Sequence, residues 1–291
     1  MATVWRAWDD KAQQYVAIKI MADEFADDEQ ITGRFIDELR RHAQLHHPNI
    51  VAVRDVFSVG GKPCMVMDLL AGGSLASVLD KSPGRRLTFD AALPLITDVL
   101  AALDYAHRKG IVHRDVKPSN ILLDEQHQHA WLSDFGIALA IGERRRTRTG
   151  VSVGTNAYMS PEQIRAEAID FRSDVYSVGC VLYEILTGQP PFVAPAKNAD
   201  TLQASVLAAH LRDTPVAPRR RVASIPGNVD ALIMRALAKN PADRVPGCSE
   251  FARLLAEPAR RRSGPVVPQR LVASLVLLVV VIGLIVFVAF R

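Results

Sequence analysis

The sequence predicts an α+β protein of two lobes, a small one built on an antiparallel sheet and a large one built of helices, followed by one transmembrane helix. Three observations lead there: strand-like text with a single helical interlude from Thr3 to about Val59, helical periodicity from Gly73 onward, and an uncharged apolar run from Leu271 to Phe290. With 291 residues and 49% hydrophobic composition the chain can build a substantial core.

The opening "MATVWRAWDDKAQQYVAIKI" reads as two antiparallel strands joined by a polar turn. In "DEQITGRFIDELRRHAQL" the apolar residues Ile31, Phe35, Leu39 and Ala43 recur at helical spacing. The segment "KPCMVMDLLAGG" reads as a buried strand that runs into a glycine-containing hinge, which sets the small lobe at 1–70 and the large lobe at 71–257. Thr88 is an N-cap and Gly110 a stop for the helix of "TFDAALPLITDVLAALDYAHRKG", and "FRSDVYSVGCVLYEILTG" ends at Gly188. Further helices are expected at 199–211, 228–238 and 249–256.

Residues 258–270 form a short, basic, proline-bearing linker, and 271–290 carry no charge at all. At 1.5 Å per residue that run spans about 30 Å, the thickness of a bilayer's hydrocarbon core. It is apolar on every face, which disfavours a buried core helix. Arg260, Arg261, Arg262 and Arg270 precede it and only Arg291 follows, so the positive-inside rule puts the large domain in the cytoplasm, anchored to the cytoplasmic membrane by a single pass. The first thirty residues are charged throughout, and no signal peptide is read in them.

The net charge of +4 comes from local runs at 143–148, 219–221 and 259–262, which argues against a nucleic-acid partner. Cys64, Cys180 and Cys248 are odd in number and far apart, as suits a reducing compartment. The histidines form no zinc pattern.

Chemistry concentrates in short clusters. "VAIK" (16–19) lies before an acidic helix; "HRDVKPSN" (113–120) and "DFG" (134–136) follow the long helix; "SPE" (160–162) closes a loop rich in threonine and arginine. Each alone is weak. In this order the set resembles the protein kinase signature over nearly all of residues 1–257, and is most similar to bacterial eukaryotic-like Ser/Thr protein kinases with a membrane anchor.

The resemblance implies a two-lobed protein kinase fold, with ATP and Mg²⁺ (or Mn²⁺) in the cleft and protein Ser/Thr hydroxyls as acceptors. Phosphoryl transfer is mainly positioning and charge neutralisation, so cations, metal ligands and one carboxylate are the groups it needs. By the match, Lys19 contacts the α and β phosphates and pairs with Glu38; Asp37 points about 100° away on the helix. Asp115 takes or orients the proton of the acceptor hydroxyl, Lys117 steadies the γ-phosphate as in the Ser/Thr branch, and Asn120 and Asp134 hold the metal. Met67 controls access behind the adenine, backbone groups from Asp68 to Leu70 meet its edge, and Val4, Ala17 and Leu123 cover its faces. Phe135 and His113 are structural.

Residues 134–162 resemble an activation loop, with Thr147, Thr149 and Ser152 as phosphorylation candidates that Arg114 would clamp. Thr155 is expected beside Asp115 and Lys117, near the substrate. Ser160 stands where the family usually has alanine; Glu162 is expected to pair with Arg244, and Asp174 to accept backbone donors of the catalytic loop. The family's Gly-rich loop and first strand would precede Met1, so the chain as it stands is expected to bind ATP weakly. The rival classes are a pseudokinase scaffold or nucleotide sensor, and a small-molecule phosphotransferase, whose related fold lacks the loop and "SPE". A kinase homodimer through the small lobe is implied by resemblance alone.

Overall fold

The computed structural model describes residues 2–22, 29–135, 155–193 and 199–257. Within them several side chains are not described, those of Phe35, Asp37, Glu38 and Thr155 among them. The chain divides after Glu257, and only the first unit falls within the description.

Four strands, β1 (Ala2–Asp9), β2 (Gln14–Met21), β3 (Val53–Val59) and β4 (Lys62–Asp68), form one antiparallel sheet in the order β1-β2-β4-β3. The polar turn after β1 is made by Asp9, whose Oδ1 accepts the N–H groups of Lys11 and Ala12 at 2.9 and 3.0 Å. Gly60 and Gly61, both at positive φ, close the β3–β4 hairpin in two residues. Helix α1 (Glu29–Ala43) packs on the sheet. There Leu39 joins Met21, Val51 and Met65 in a small core of fully buried side chains.

The remaining helices are α2 (Leu75–Lys81), α3 (Phe89–Arg108), α4 (Pro161–Arg165), α5 (Arg172–Thr187), α6 (Ala199–Arg212), α7 (Pro218–Arg221), α8 (Gly227–Ala236) and α9 (Cys248–Ala256). Thr88 caps α3 by accepting the Ala91 N–H, and Gly188 ends α5 in the left-handed conformation at φ 86. Every residue of α5 from Ser173 to Leu186 is buried. It is the central post of the large lobe, with α3 and α8 packed on it and α9 packed on α3. Burying one such Leu or Val side chain stabilises by about 1.5–3 kcal/mol. All three cysteines are buried and unpaired, Cys64 on β4 and Cys180 and Cys248 in the large-lobe core.

A short hairpin, β5 (Ile121–Leu123) and β6 (Ala130–Leu132), lies where the lobes meet. Leu132 bridges to Ile50, and the hinge is bonded to β5: Gly72 N–H to Leu123 O at 3.1 Å and Leu123 N–H to Gly73 O at 2.9 Å. Among the described residues no helix is long and apolar enough to cross a membrane, and the run 271–290 lies outside them.

Gly72 can approach β5 this closely only without a side chain, since an added Cβ would lie 2.0 Å from the Asp124 carbonyl oxygen. The obstruction is backbone and cannot rotate away. Gly72→Ala is therefore expected to lower stability by about 1–3 kcal/mol in urea unfolding, through displacement of the hinge from β5.

Candidate active site

The floor of the cleft is the loop between α3 and β5. Asp174, fully buried near the start of α5, organises it. Its Oδ1 accepts the Arg114 N–H and its Oδ2 the His113 N–H, both at 2.8 Å, while His107 on α3 reaches Oδ2 at 2.7 Å. Carboxylate oxygens only accept, so His107 donates through Nε2. These bonds fix Arg114 at φ 68, a conformation that costs a side-chain-bearing residue about 1–2 kcal/mol.

His113 is also locked. Its Nε2 donates to Ser133 O at 2.8 Å, which leaves Nδ1 to accept the Asp115 N–H at 3.2 Å and fixes a neutral tautomer. The Asp115 carboxylate meets Lys117 Nζ at 2.7 Å. The turn Pro118–Asn120 folds the chain back, so that Asn120 Nδ2 donates to the Asp115 carbonyl at 2.8 Å and to its Oδ2 at 3.0 Å. Asn120 O in turn accepts the Ser133 N–H and hydroxyl at 2.9 and 3.1 Å, which sets Asp134 beside the loop.

Across the cleft, Lys19 on β2 reaches Asp134 Oδ1 at 2.6 Å. Burial pushes the Asp134 carboxyl up, but the Lys19 charge and hydrogen bond outweigh it and hold the group below the usual carboxylate range. Asp134 has φ 65, which turns the chain so that Phe135 enters the interior. Its ring packs on His113, with centroids 4.6 Å apart, and on His42 of α1 at 5.4 Å. His42 Nε2 donates to Val51 O, and burial pushes its pKa down to about 4, so the ring is neutral at pH 7.

Cross-strand register puts Val4, Lys19 and Met65 on one rung and Ala17 and Met67 on the next, all on one face of the sheet. Ala17 and Met67 are buried there, with Leu70 and Leu122 packed against the same cluster, while Val4 is 57% exposed. The assignment of Leu123 to this face needs correction. Leu123 is fully buried in the large-lobe core; alternation along β5 gives the cleft side to its neighbour Leu122. Position in the motif could have found Leu122 only with the strand's phase in hand. Asp68 is committed to the fold, its N–H to Ala52 O and its carboxylate to Arg54.

Behind the loop, Glu162 of α4 and Arg244 form a buried two-point ion pair, each contact 2.7 Å. All five Arg244 N–H donors are used, the others on the carbonyls of Ala238, Arg172 and Lys239. Glu38 lies on α1 and Thr155 begins a short helical turn, Thr155–Tyr158, but neither side chain is described. Thr147, Thr149 and Ser152 lie outside the described residues.

Known proteins resemble this chain in sequence and in fold. A model of the protein kinase domain matches residues 1–255. The chain belongs to the protein kinase family. Curated kinases it resembles include the serine/threonine-protein kinase PknB of Mycobacterium leprae, 38% identical over 256 residues, and PknB of Mycolicibacterium smegmatis, 39% identical over 261. Each alignment covers 86% of this chain and 40% of the relative, so the chain spans about 40% of the length of the curated kinases it matches. Among solved structures, the kinase domain of Mycobacterium tuberculosis PknI superposes with a TM-score of 0.67 at 28% identity, covering 88% of this chain and 90% of that one. In this kinase domain Lys19 stands on the small-lobe wall of the cleft, and Asp134 stands beside the Asp115–Lys117–Asn120 group on the other.

The Glu162–Arg244 pair gives a stability prediction for the kinase domain. Burial raises the Glu162 carboxyl, yet the hydrogen bonds from Arg244 and Ser173 and the Arg244 charge outweigh it, so its folded pKa lies below the unfolded value. Its contribution is thus complete above the unfolded pKa of about 4.3 and is lost as pH falls through the lower folded pKa. Arg244→Met strands a buried carboxylate and is expected to cost about 3–5 kcal/mol at pH 7, with a smaller deficit at pH 4, in denaturant titrations.

Proposed function

We propose that the chain is an ATP-dependent protein Ser/Thr kinase that transfers the γ-phosphoryl group to protein hydroxyls. The observation that supports this most directly is the convergence of Asp115, Lys117, Asn120 and Asp134 on one side with Lys19 on the other. Asp115 is the group that orients and accepts the proton of the acceptor hydroxyl. Lys117, already at its carboxylate, neutralises charge on the phosphoryl group in transit and fits a Ser/Thr acceptor. Lys19, paired with Glu38, holds the α and β phosphates. The apolar faces of the adenine site are Val4, Ala17 and Leu122, with Met67 at the back and the Asp68 carbonyl and Leu70 amide at the edge.

The residues present fit a divalent cation such as Mg²⁺. Asn120 spends its Nδ2 protons on Asp115, so its amide oxygen is the atom left to bind, and Asp134 adds a carboxylate held ionised by Lys19. Two hard oxygen donors suit a cation that takes its other ligands from water and phosphate. When bound, that ion neutralises the charge of the phosphate oxygens.

Arg114 Nε is buried and has no partner among the described residues. A phosphate on Thr147, Thr149 or Ser152 answers that unmet donor and would order the loop with Thr155 near the substrate. Residues 258–270 act as a basic linker and 271–290 as an anchor in the cytoplasmic membrane.

The test is transfer from labelled ATP by the full chain in membranes, with Mg²⁺ and an acceptor protein. Asp115→Asn is expected to lower the rate by about 10²–10⁴-fold with the fold intact. Equal labelling by wild type and variant refutes the assignment of Asp115, and nucleotide binding without any transfer favours the scaffold.

A further inference from the structure

Arg114 is clamped from two sides. Its N–H is held by Asp174, and its carbonyl accepts a hydrogen bond at 2.7 Å from Gln163 Nε2 of α4. The Gln163 amide has one orientation available, because its Oε1 accepts both the Ser160 N–H and the Ser160 hydroxyl at 3.0 Å. That hydroxyl oxygen accepts the Gln163 N–H in return, at 3.4 Å. Ser160 is fully buried and Gln163 nearly so. Ser160 is the position at which the chain departs from alanine, and its hydroxyl aims an amide at the residue beside Asp115.

We infer that Gln163, oriented by Ser160, is a positioning residue for the catalytic loop. A left-handed Arg114 persists only while its surroundings over-determine it, and one carboxylate on the N–H side does not fix the plane of the following peptide. That peptide is held at both ends, its N–H, on Asp115, by His113 Nδ1 at 3.2 Å and its carbonyl by the shorter Gln163 bond. The seat of the Ser-Pro-Glu segment and the aim of the Asp115 carboxylate are thereby one geometric unit. The role rests on the kinase reading for its catalytic consequence, but not for its structural one. A capping box that only stabilised α4 would need the Oε1 contacts and would be indifferent to what Nε2 touches.

The experiment uses the full chain with wild type, Asp115→Asn, Gln163→Met and Gln163→Glu. Gln163→Met keeps the volume and loses both the donor to Arg114 and the acceptor for Ser160; kcat is expected to fall about 10-fold or more with KM for ATP within about twofold, as a displaced catalytic group requires. Gln163→Glu keeps the acceptor that Ser160 needs but sets a carboxylate oxygen against the Arg114 carbonyl. Its rate relative to wild type is expected to rise as pH falls from about 8 to about 6, because the neutral carboxyl donates the missing bond. A Gln163→Glu variant equal to wild type across that range overturns the inference, as does a folded Gln163→Met with unchanged kcat. Hydrogen exchange of residues 111–120 is read in parallel, about 10-fold faster in Gln163→Glu at pH 8, where the Ser160 acceptor is kept, with α5 unchanged. That readout decides the positioning role even where wild type transfers no phosphate, a failure that the comparison with Asp115→Asn assigns to the kinase reading instead.

Discussion

The carboxylate of Asp174 is the contact on which the cleft depends. It is buried in the central helix of the large lobe, and it accepts from two consecutive backbone amides and one imidazole. A buried carboxylate without such donors would be costly to desolvate; with three it becomes a rigid anchor. The anchor converts the stiffness of α5 into a fixed backbone at residues 113–114, and from that backbone Asp115, Lys117 and Asn120 take their places. Removing apolar bulk elsewhere in the lobe would loosen packing, but removing this carboxylate would leave two amides unmade and a left-handed residue unsupported.

The second organising fact is how the cleft disposes of charge. Lys19 and Asp134 neutralise each other across it, as do Lys117 and Asp115 on its floor. Both pairs keep some solvent access, which under the proposed function would let each ion exchange its partner for a phosphate or a metal. The Glu162–Arg244 pair is the contrasting case. It is closed off, with every guanidinium proton in use, and nothing is left over for a ligand. The two kinds of ion pair thus differ in access, partly open in the cleft and closed behind it.

Much of this was legible in the sequence because motifs tie chemistry to spacing. Lys19, Asp115, Asn120 and Asp134 are named by short words, and the pairing of Glu162 with Arg244 and of Asp174 with the loop follow from the same resemblance. The helix boundaries were legible too, since Thr88, Gly110 and Gly188 are local signals with local causes. What failed was phase: Leu122 and Leu123 are chemically alike, and only the pairing of β5 decides which faces the cleft. The Gln163 bond was hidden for another reason. It joins residues 49 positions apart through a side-chain amide, and no periodicity reports on such a contact. His42 lay equally out of reach, because its packing against Phe135 depends on how α1 seats against the sheet.

The three buried cysteines give the protein an internal clock. Burial drives the thiols of Cys180 and Cys248 above their ordinary range, so neither is a nucleophile while the fold is closed. A thiol reagent must therefore wait for an opening event. Cys64 belongs to the small-lobe sheet, whereas Cys180 and Cys248 belong to the helical core. Their separate labelling rates time the breathing of each lobe within one unmodified chain, without any introduced probe.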